Sequence, residues 1–320
     1  MPEHLGNPLG EQRKLAEGKA FVERTDQQVI RIGGADAKKW LHSLLSQDIL
    51  NLKPGQSTEA LLLTPQGHIE QQLKIFARED DLLLIVDKSR TESLIKWLSM
   101  MKFRSAVEIE ETDSLVFGVF ADLGQPAWVD GFAIENPKSV RYTNDPVEFG
   151  YREIISRTPP DLEQAGSMAY QALRIAAGRP EISDVDERSL PHEFDWLNSA
   201  VHLSKGCYRG QEAVAKVHNL GHPPRRLAIL HFESGDQIPS PGDEVFYGDK
   251  SAGKILAAGI HYELGAIALA LLSRATPYLD LEVQSGASRF AATQQVLVPS
   301  DAGKAANLPR PSAFKLSGKK

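Results

Sequence analysis

Lys205-Gly206-Cys207-Tyr208-Arg209-Gly210-Gln211-Glu212 is the densest chemical cluster in the chain. A thiol is a nucleophile only as thiolate, and neighbouring cations favour that form. Lys205 and Arg209 each stand two residues from Cys207. Gly206 and Gly210 permit close turns or a close approach to a ligand. Gln211 and Glu212 are placed to cap a following helix or to bind a partner. The same thiol is also a small hydrophobe suited to a core, so residue types alone leave both roles open. A protease-like arrangement is not indicated, because His202 and His218 are near only in sequence and no third group fixes either as a base.

Cys207 is the single cysteine among 320 residues. That excludes an intrachain disulfide and any zinc or iron–sulfur site needing several thiolates from this chain. The formal net charge of −6 gives no overall attraction to a polyanion, so no stable nucleic-acid partner is expected. No stretch approaches the ~18–20 apolar residues of a membrane helix, and Met1 to Lys14 lacks an apolar signal core. The expectation is a cytoplasmic, monomeric protein without a membrane partner. His218 and His222 are separated by a segment with Gly221 and before Pro223, which argues against a shared helix, and no metal-ligand set is singled out. Gly33-Gly34 and Gly118 do not make a dinucleotide fingerprint.

The elements that must position this cluster read as α+β. Val29–Ile32 is a short strand. Ala37, Trp40, Leu41, Leu44 and Leu45 then form one helical face, with Asp36 at the N-cap position. Strands are expected over Ala60–Leu63, Ile69–Phe76 and Leu82–Val86, with turns at Pro54-Gly55 and Pro65-Gln66-Gly67. Ser89 and Glu92 have capping-box spacing before a helix expected to bury Leu94, Ile95, Trp97, Leu98 and Met101. Strands follow at Val107–Ile109 and Leu115–Phe120. Pro159-Pro160-Asp161 reads as the opening of another helix, ended by Gly178 and Pro180. After Pro223-Pro224, short strands at 227–232, 244–247, 254–260, 266–272 and 291–298 suggest a small β-barrel or sandwich. The expected organisation is a two-lobed α+β region over 15–224, a barrel over 225–298 and a mobile tail over 299–320.

The octapeptide resembles the signature of the YgfZ family, folate-binding bacterial counterparts of a mitochondrial iron–sulfur assembly factor and relatives of the glycine-cleavage T-protein. Leu190-Pro191-His192-Glu193-Phe194-Asp195-Trp196-Leu197 upstream and Ala213 through Gly221 downstream fit the same pattern. So do Gly34-Ala35-Asp36 through Ser46-Gln47-Asp48, and Leu61-Leu62-Leu63-Thr64-Pro65-Gln66-Gly67. The likeness implies a three-lobed T-protein-like fold around a central folate pocket, with a barrel as third lobe. It implies tetrahydrofolate or a derivative as cofactor, and a role in assembly or repair of iron–sulfur enzymes with such clients as partners. tRNA modification is attached to relatives of this kind.

The same resemblance marks a departure. T-protein carries an acidic pair after a Gly-Gly-Ile-like turn, and in Gly67-His68-Ile69-Glu70-Gln71-Gln72-Leu73 those positions are Gln71 and Gln72. Glutamine hydrogen-bonds but carries no negative charge for a protonated amine. On a regular strand, Glu70 points away from the face of Gln71. Glu193 falls where T-protein has Pro-x-Glu and is the candidate for the pterin edge, with a helix-cap carboxylate as the alternative; Tyr170 is a candidate aromatic wall or else a core aromatic, and Gln71 a candidate contact. Gln27 stands where some members have an aromatic residue. Arg225-Arg226 reads as an exposed, solvated pair that could also meet a folate glutamate tail. An accessory protein with an essential Cys207 is thus the expected function. A folate-dependent aminomethyl or one-carbon transferase and a non-catalytic scaffold are the alternatives.

Overall fold

The computed structural model describes residues 2–132, 139–144, 146–233 and 238–306. Five α-helices appear among them: α1 (Pro8–Ala16), α2 (Ala37–Leu44), α3 (Thr91–Met101), α4 (Ser167–Ala176) and α5 (Gln211–Leu220). The polar N-terminus, for which no element was expected, starts α1 by local chemistry: Pro8 sits at its first position and the Asn7 side chain accepts from the Gly10 amide. Both favour helix initiation.

The first sheet runs Ser57–Leu63, Ile69–Ala77, Asp81–Asp87, Gln27–Gly33, Glu108–Glu111, antiparallel throughout. α2 and α3 cover one face, where Trp40, Leu41, Leu94 and Leu98 meet Ile32, Leu73, Ile75 and Leu84. The opposite face carries Val29, Phe76, Leu83 and Ile85 onto a second sheet and α4. Because both faces are buried, its central strands are long apolar runs rather than alternating ones. The second sheet runs Glu163–Ala165, Ala20–Glu23, Leu115–Val119, Arg152–Ser156, Ala127–Val129. Its outermost pair joins residues 20–22 to 163–165 in parallel. The helix expected to open at Pro159 begins instead at Ser167. Of the intervening residues, Glu163–Ala165 form that edge strand, paired to residues 20–22.

Residues 225–296 close into a six-stranded barrel. The expected strands are present, together with Leu281–Ser285, which had not been foreseen. Along Arg225–Phe232 and Gly265–Ser273 the side chains alternate. Ala228, Leu230, Ala268, Ala270 and Leu272 fill the barrel, whereas Leu227, Ile229, Ile267, Leu269 and Leu271 pack outward onto Phe194, Trp196 and Val201. The chain therefore forms the expected α+β, three-lobed architecture with a C-terminal barrel.

Residues 299–306, assigned by sequence to a mobile tail, run along α5. The Ala305 and Ala306 amides donate to the carbonyls of His218 and Asn219, and Ala302 is 4 % exposed in the core around Trp196. The remainder of that tail, 307–320, lies outside the described residues.

Candidate functional site

Residues 205–210 of the octapeptide form a loop fastened at both ends, and Gln211 and Glu212 begin α5. On its N-terminal side the Lys205 ammonium turns inward and donates to the carbonyls of His42, Leu45 and Gln47, at the C-terminus of α2 and just beyond it. A lysine there satisfies carbonyls that the helix leaves open. Burial lowers its pKa to about 8. On the C-terminal side, Arg209 forks onto the Glu70 carboxylate at 2.7 and 3.4 Å. Gly210 takes φ +84°, and a Cβ there would lie 2.5 Å from the Thr64 carbonyl oxygen. A glycine is required for this close approach, and it starts α5. Tyr208 is buried beneath the loop, its ring 5.3 Å from the Lys205 ammonium. Cys207 stands exposed between these anchors. The expectation that Lys205 and Arg209 flank the thiol as activating cations is corrected: both cations are committed to other partners.

A register shift explains a second correction. Leu62 pairs with Gln71 but Leu63 pairs with Ile69, leaving Glu70 as the extra residue of a bulge. Alternation breaks there, so Glu70 and Gln71 border the same pocket, about 580 Å³, beside Trp97 and Arg90. Gln72 lies on the opposite face. Its Nε2 donates to Glu59 and its Oε1 accepts from the Ile182 amide. Gln71 Oε1 is buried without a partner.

Gln72 borders the centre of the molecule, where charge is densely paired. Arg24 donates to Asp26, Glu153 and Glu181, and Lys74 to Glu153 at 2.6 Å. Tyr170 donates to Glu181 at 2.8 Å, and the Arg24 guanidinium lies 4.3 Å from its ring centroid. Burial opposes these charges, but the partners prevail. Arg24 is held well above its usual pKa by the Glu181 and Glu153 carboxylates, and Glu181 is lowered to about 2 by Arg24, Arg174 and Lys74. Burial raises the Glu59 carboxyl against hydrogen bonds from Gln72 and Ser199. The space enclosed by these side chains is about 20 Å³, room for a water rather than a ring system. Two larger pockets share its lining. One, about 320 Å³, shares Glu59 and Trp128; the other, about 350 Å³, shares Gln72, Lys74, Tyr170 and Glu181.

Tyr170 thus sits in the centre, but as part of the closed network. Gln27 lines the second of these larger pockets. Glu193 is not at the centre. It is 0 % exposed, and its oxygens accept from Arg225 and from the Leu190 amide. That arrangement caps the short helix Pro191–Phe194 and leaves no edge for a pterin. The expected solvated pair is also corrected. Arg225 is held between Glu193 and Asp186, and Arg226 is fully buried, donating to Thr276 and Gln294. Sequence reasoning missed Arg24, Glu59, Lys74, Glu153 and Glu181. The available signal was a charge inside an apolar strand, as in Leu73-Lys74-Ile75 and Arg152-Glu153-Ile154. Among the described residues no group of three or more His, Cys, Asp or Glu could hold a metal ion, and no helix is long and apolar enough to cross a membrane.

No protein-family model matches the chain. The fold is that of the glycine cleavage system aminomethyltransferase T from Bartonella henselae. The two superpose with a TM-score of 0.73 over 90% of this chain and 88% of that one, at 18% identity. By sequence, the chain is 23% identical over 315 residues to an aminomethyltransferase of Alcanivorax borkumensis, covering 89% of this chain and 87% of the relative. It is 25% identical over 272 residues to the mitochondrial iron–sulfur cluster assembly factor IBA57 homolog of Neosartorya fischeri. That match covers 71% of this chain and 60% of the relative's length.

Proposed function

We propose that this chain is a folate-binding accessory protein for assembly or repair of iron–sulfur enzymes, of the YgfZ kind, working in the cytoplasm with tetrahydrofolate or a derivative. The observation that carries the reading is the fastened loop. Lys205, Tyr208, Arg209 and Gly210 are all spent on holding it, and what they leave accessible is Cys207. A thiol presented in this way suits contact with a client protein. The likeness to an iron–sulfur assembly factor points the same way. Aminomethyl transfer is disfavoured because Gln71 and Gln72 carry no charge and diverge to opposite faces.

Two measurements test this reading. Titration of the full chain with tetrahydrofolate, followed by tryptophan fluorescence, should saturate; a flat response up to millimolar ligand removes the folate part. In cells lacking the native protein, Cys207→Ala should fail to restore iron–sulfur enzyme activity. Full restoration removes the thiol.

One observation favours a second reading, folate-dependent one-carbon transfer. Glu59, from the strand beside Gln72, brings a buried carboxyl to the centre. Turnover with the lipoyl carrier in a glycine-cleavage assay, abolished by Glu59→Gln, would establish it in place of the accessory role.

A further inference from the structure

The turn that follows α3 carries an aromatic side chain in an unusual setting. Phe103 is 84 % exposed, and its backbone takes φ +45°. Positive φ is rare for a bulky side chain and strains the chain. The turn is nevertheless held firmly. The Ser105 amide donates to the Lys102 carbonyl, the Asp36 amide to the Ala106 carbonyl, and the Ala106 amide to the Asp36 carboxylate. Gly34 lies so close that a Cβ there would meet the Ala106 carbonyl oxygen at 2.2 Å. Trp40 Nε1 donates to the Met101 carbonyl at 3.0 Å, fixing the end of α3 to α2. A rigid base thus holds an apolar ring in water, which both backbone strain and hydration of the ring oppose.

The surroundings are cationic. Between Glu92 and Glu108 the chain has no acidic residue, although acids outnumber Lys and Arg by 42 to 36 overall. Lys96, Lys102 and Arg104 lie in this stretch, and Lys39 joins them from α2. Among the described residues none of the four has an ion-pair partner. Asp36, the acid nearest them on α2's N-terminal side, is engaged by the Ala106 amide. An open cleft of about 810 Å³ lies between α2 and the turn, bordered by Lys39, Trp40, Ser43, Phe103, Arg104 and Ser105. Met100, in the last turn of α3, is 55 % exposed.

Apolar surface ringed by unpaired cations fits a partner that is apolar at one point and acidic around it. A bilayer with anionic lipids and an acidic protein segment both have this character. The bilayer is flat, and docking it here would press Glu108 and Glu110 toward its headgroups. Both are more than half exposed and share Arg31 with Asp81, so like charge opposes that approach. A protein segment fits within the cleft and hydrogen-bonds to Ser43 and Ser105. We propose that the face around Phe103 is a docking site for an acidic protein segment, which seats an apolar side chain between Phe103 and Trp40 and sets carboxylates against Lys39 and Arg104. The C-terminal end of α2 carries the Lys205 anchor, so the docked segment lies within the length of one short helix, ~12 Å, of that anchor. The site is independent of folate.

The test is selection of phage-displayed random dodecapeptides on the immobilised full chain, followed by fluorescence anisotropy of the enriched peptides, fluorescein-labelled, with the chain in solution. The expected sequences carry a large apolar residue flanked by Asp or Glu, and their affinity falls ten-fold or more between ~0.05 and ~0.5 M salt. Phe103→Asn should weaken binding ten-fold or more while the unfolding temperature stays level or rises, because Asn tolerates positive φ. A ring kept for folding would lower that temperature. Lys39→Glu with Arg104→Glu should weaken binding at least as much, and Tyr247→Ser, on the barrel, should leave it unchanged. The proposal is overturned if the selected peptides are not acidic, or if they bind Phe103→Asn as tightly as wild type. Failure to enrich any peptide also overturns it. Sedimentation of wild type, but not Phe103→Asn, with phosphatidylglycerol vesicles would then mark a lipid contact, and Phe103-dependent self-association a contact between copies of this chain.

Discussion

The centre of the molecule and the loop around Cys207 both bury cations, to opposite ends. Around Arg24 and Lys74 the partners are carboxylates, Glu153 and Glu181, and the result is a closed centre with room for a water. In the loop, Lys205 is buried against backbone carbonyls and Arg209 meets a half-buried Glu70, and the result is an exposed tip. A carboxylate network ties side chains to one another and closes space. A cation spent on carbonyls ties a loop to the body and leaves its other residues free.

The comparison breaks first, if it breaks, at Arg24. Arg24→Ala leaves Glu153 and Glu181 without their main counter-charge in a buried site, and should cost about 3–5 kcal/mol in urea denaturation. A loss below ~1 kcal/mol would mean that the centre is held by packing alone. The next effect is a pH dependence at His192, in the short helix Pro191–Phe194. His192 is buried, its Nε2 3.1 Å from the Val214 carbonyl of α5, and burial lowers its pKa to about 4. The unfolded chain takes up this proton near 6.5 while the folded chain resists to about 4. Stability should therefore fall as pH drops from 6.5 toward 4, by up to ~3 kcal/mol for this group. The difference between wild type and His192→Gln across that window isolates the contribution; a constant difference rejects it. Lys205→Ala should cost ~1–3 kcal/mol, because the carbonyls of His42, Leu45 and Gln47 lose their shared donor. Cys207→Ala should change stability by no more than ~0.5 kcal/mol, as an exposed substitution does. Comparable losses at 205 and 207 would remove the distinction between anchor and tip.

What was legible in the sequence is local. The period of Ala37, Trp40, Leu41 and Leu44 marked α2, and short strands between glycine and proline turns marked the barrel. The uncharged pair Gln71-Gln72 after the Pro65-Gln66-Gly67 turn was equally plain. The missed features depend on partners far along the chain. Arg24 reads as a surface residue until Glu153 and Glu181 are placed beside it, 129 and 157 positions away. Glu193 matched a motif, but Arg225, from the first barrel strand, decides where its carboxylate goes. The bulge at Glu70 defeated alternation because nothing in Ile69-Glu70-Gln71-Gln72 announces an extra residue. Lys205 was read by its charge, whereas its targets are backbone carbonyls, which carry no sequence identity.

The short segment along α5 has a consequence for how the protein is made. Ala302 belongs to the same buried cluster as Leu61, Phe194 and Trp196. The parallel pair at 20–22 and 163–165 likewise waits for half the chain. During synthesis, at ~5–20 residues per second, the apolar surface around Trp196 is translated well before the residues that finally cover it. For those seconds the nascent chain carries an open core, which makes chaperone contact during translation, rather than after it, the point at which this fold is most exposed to failure.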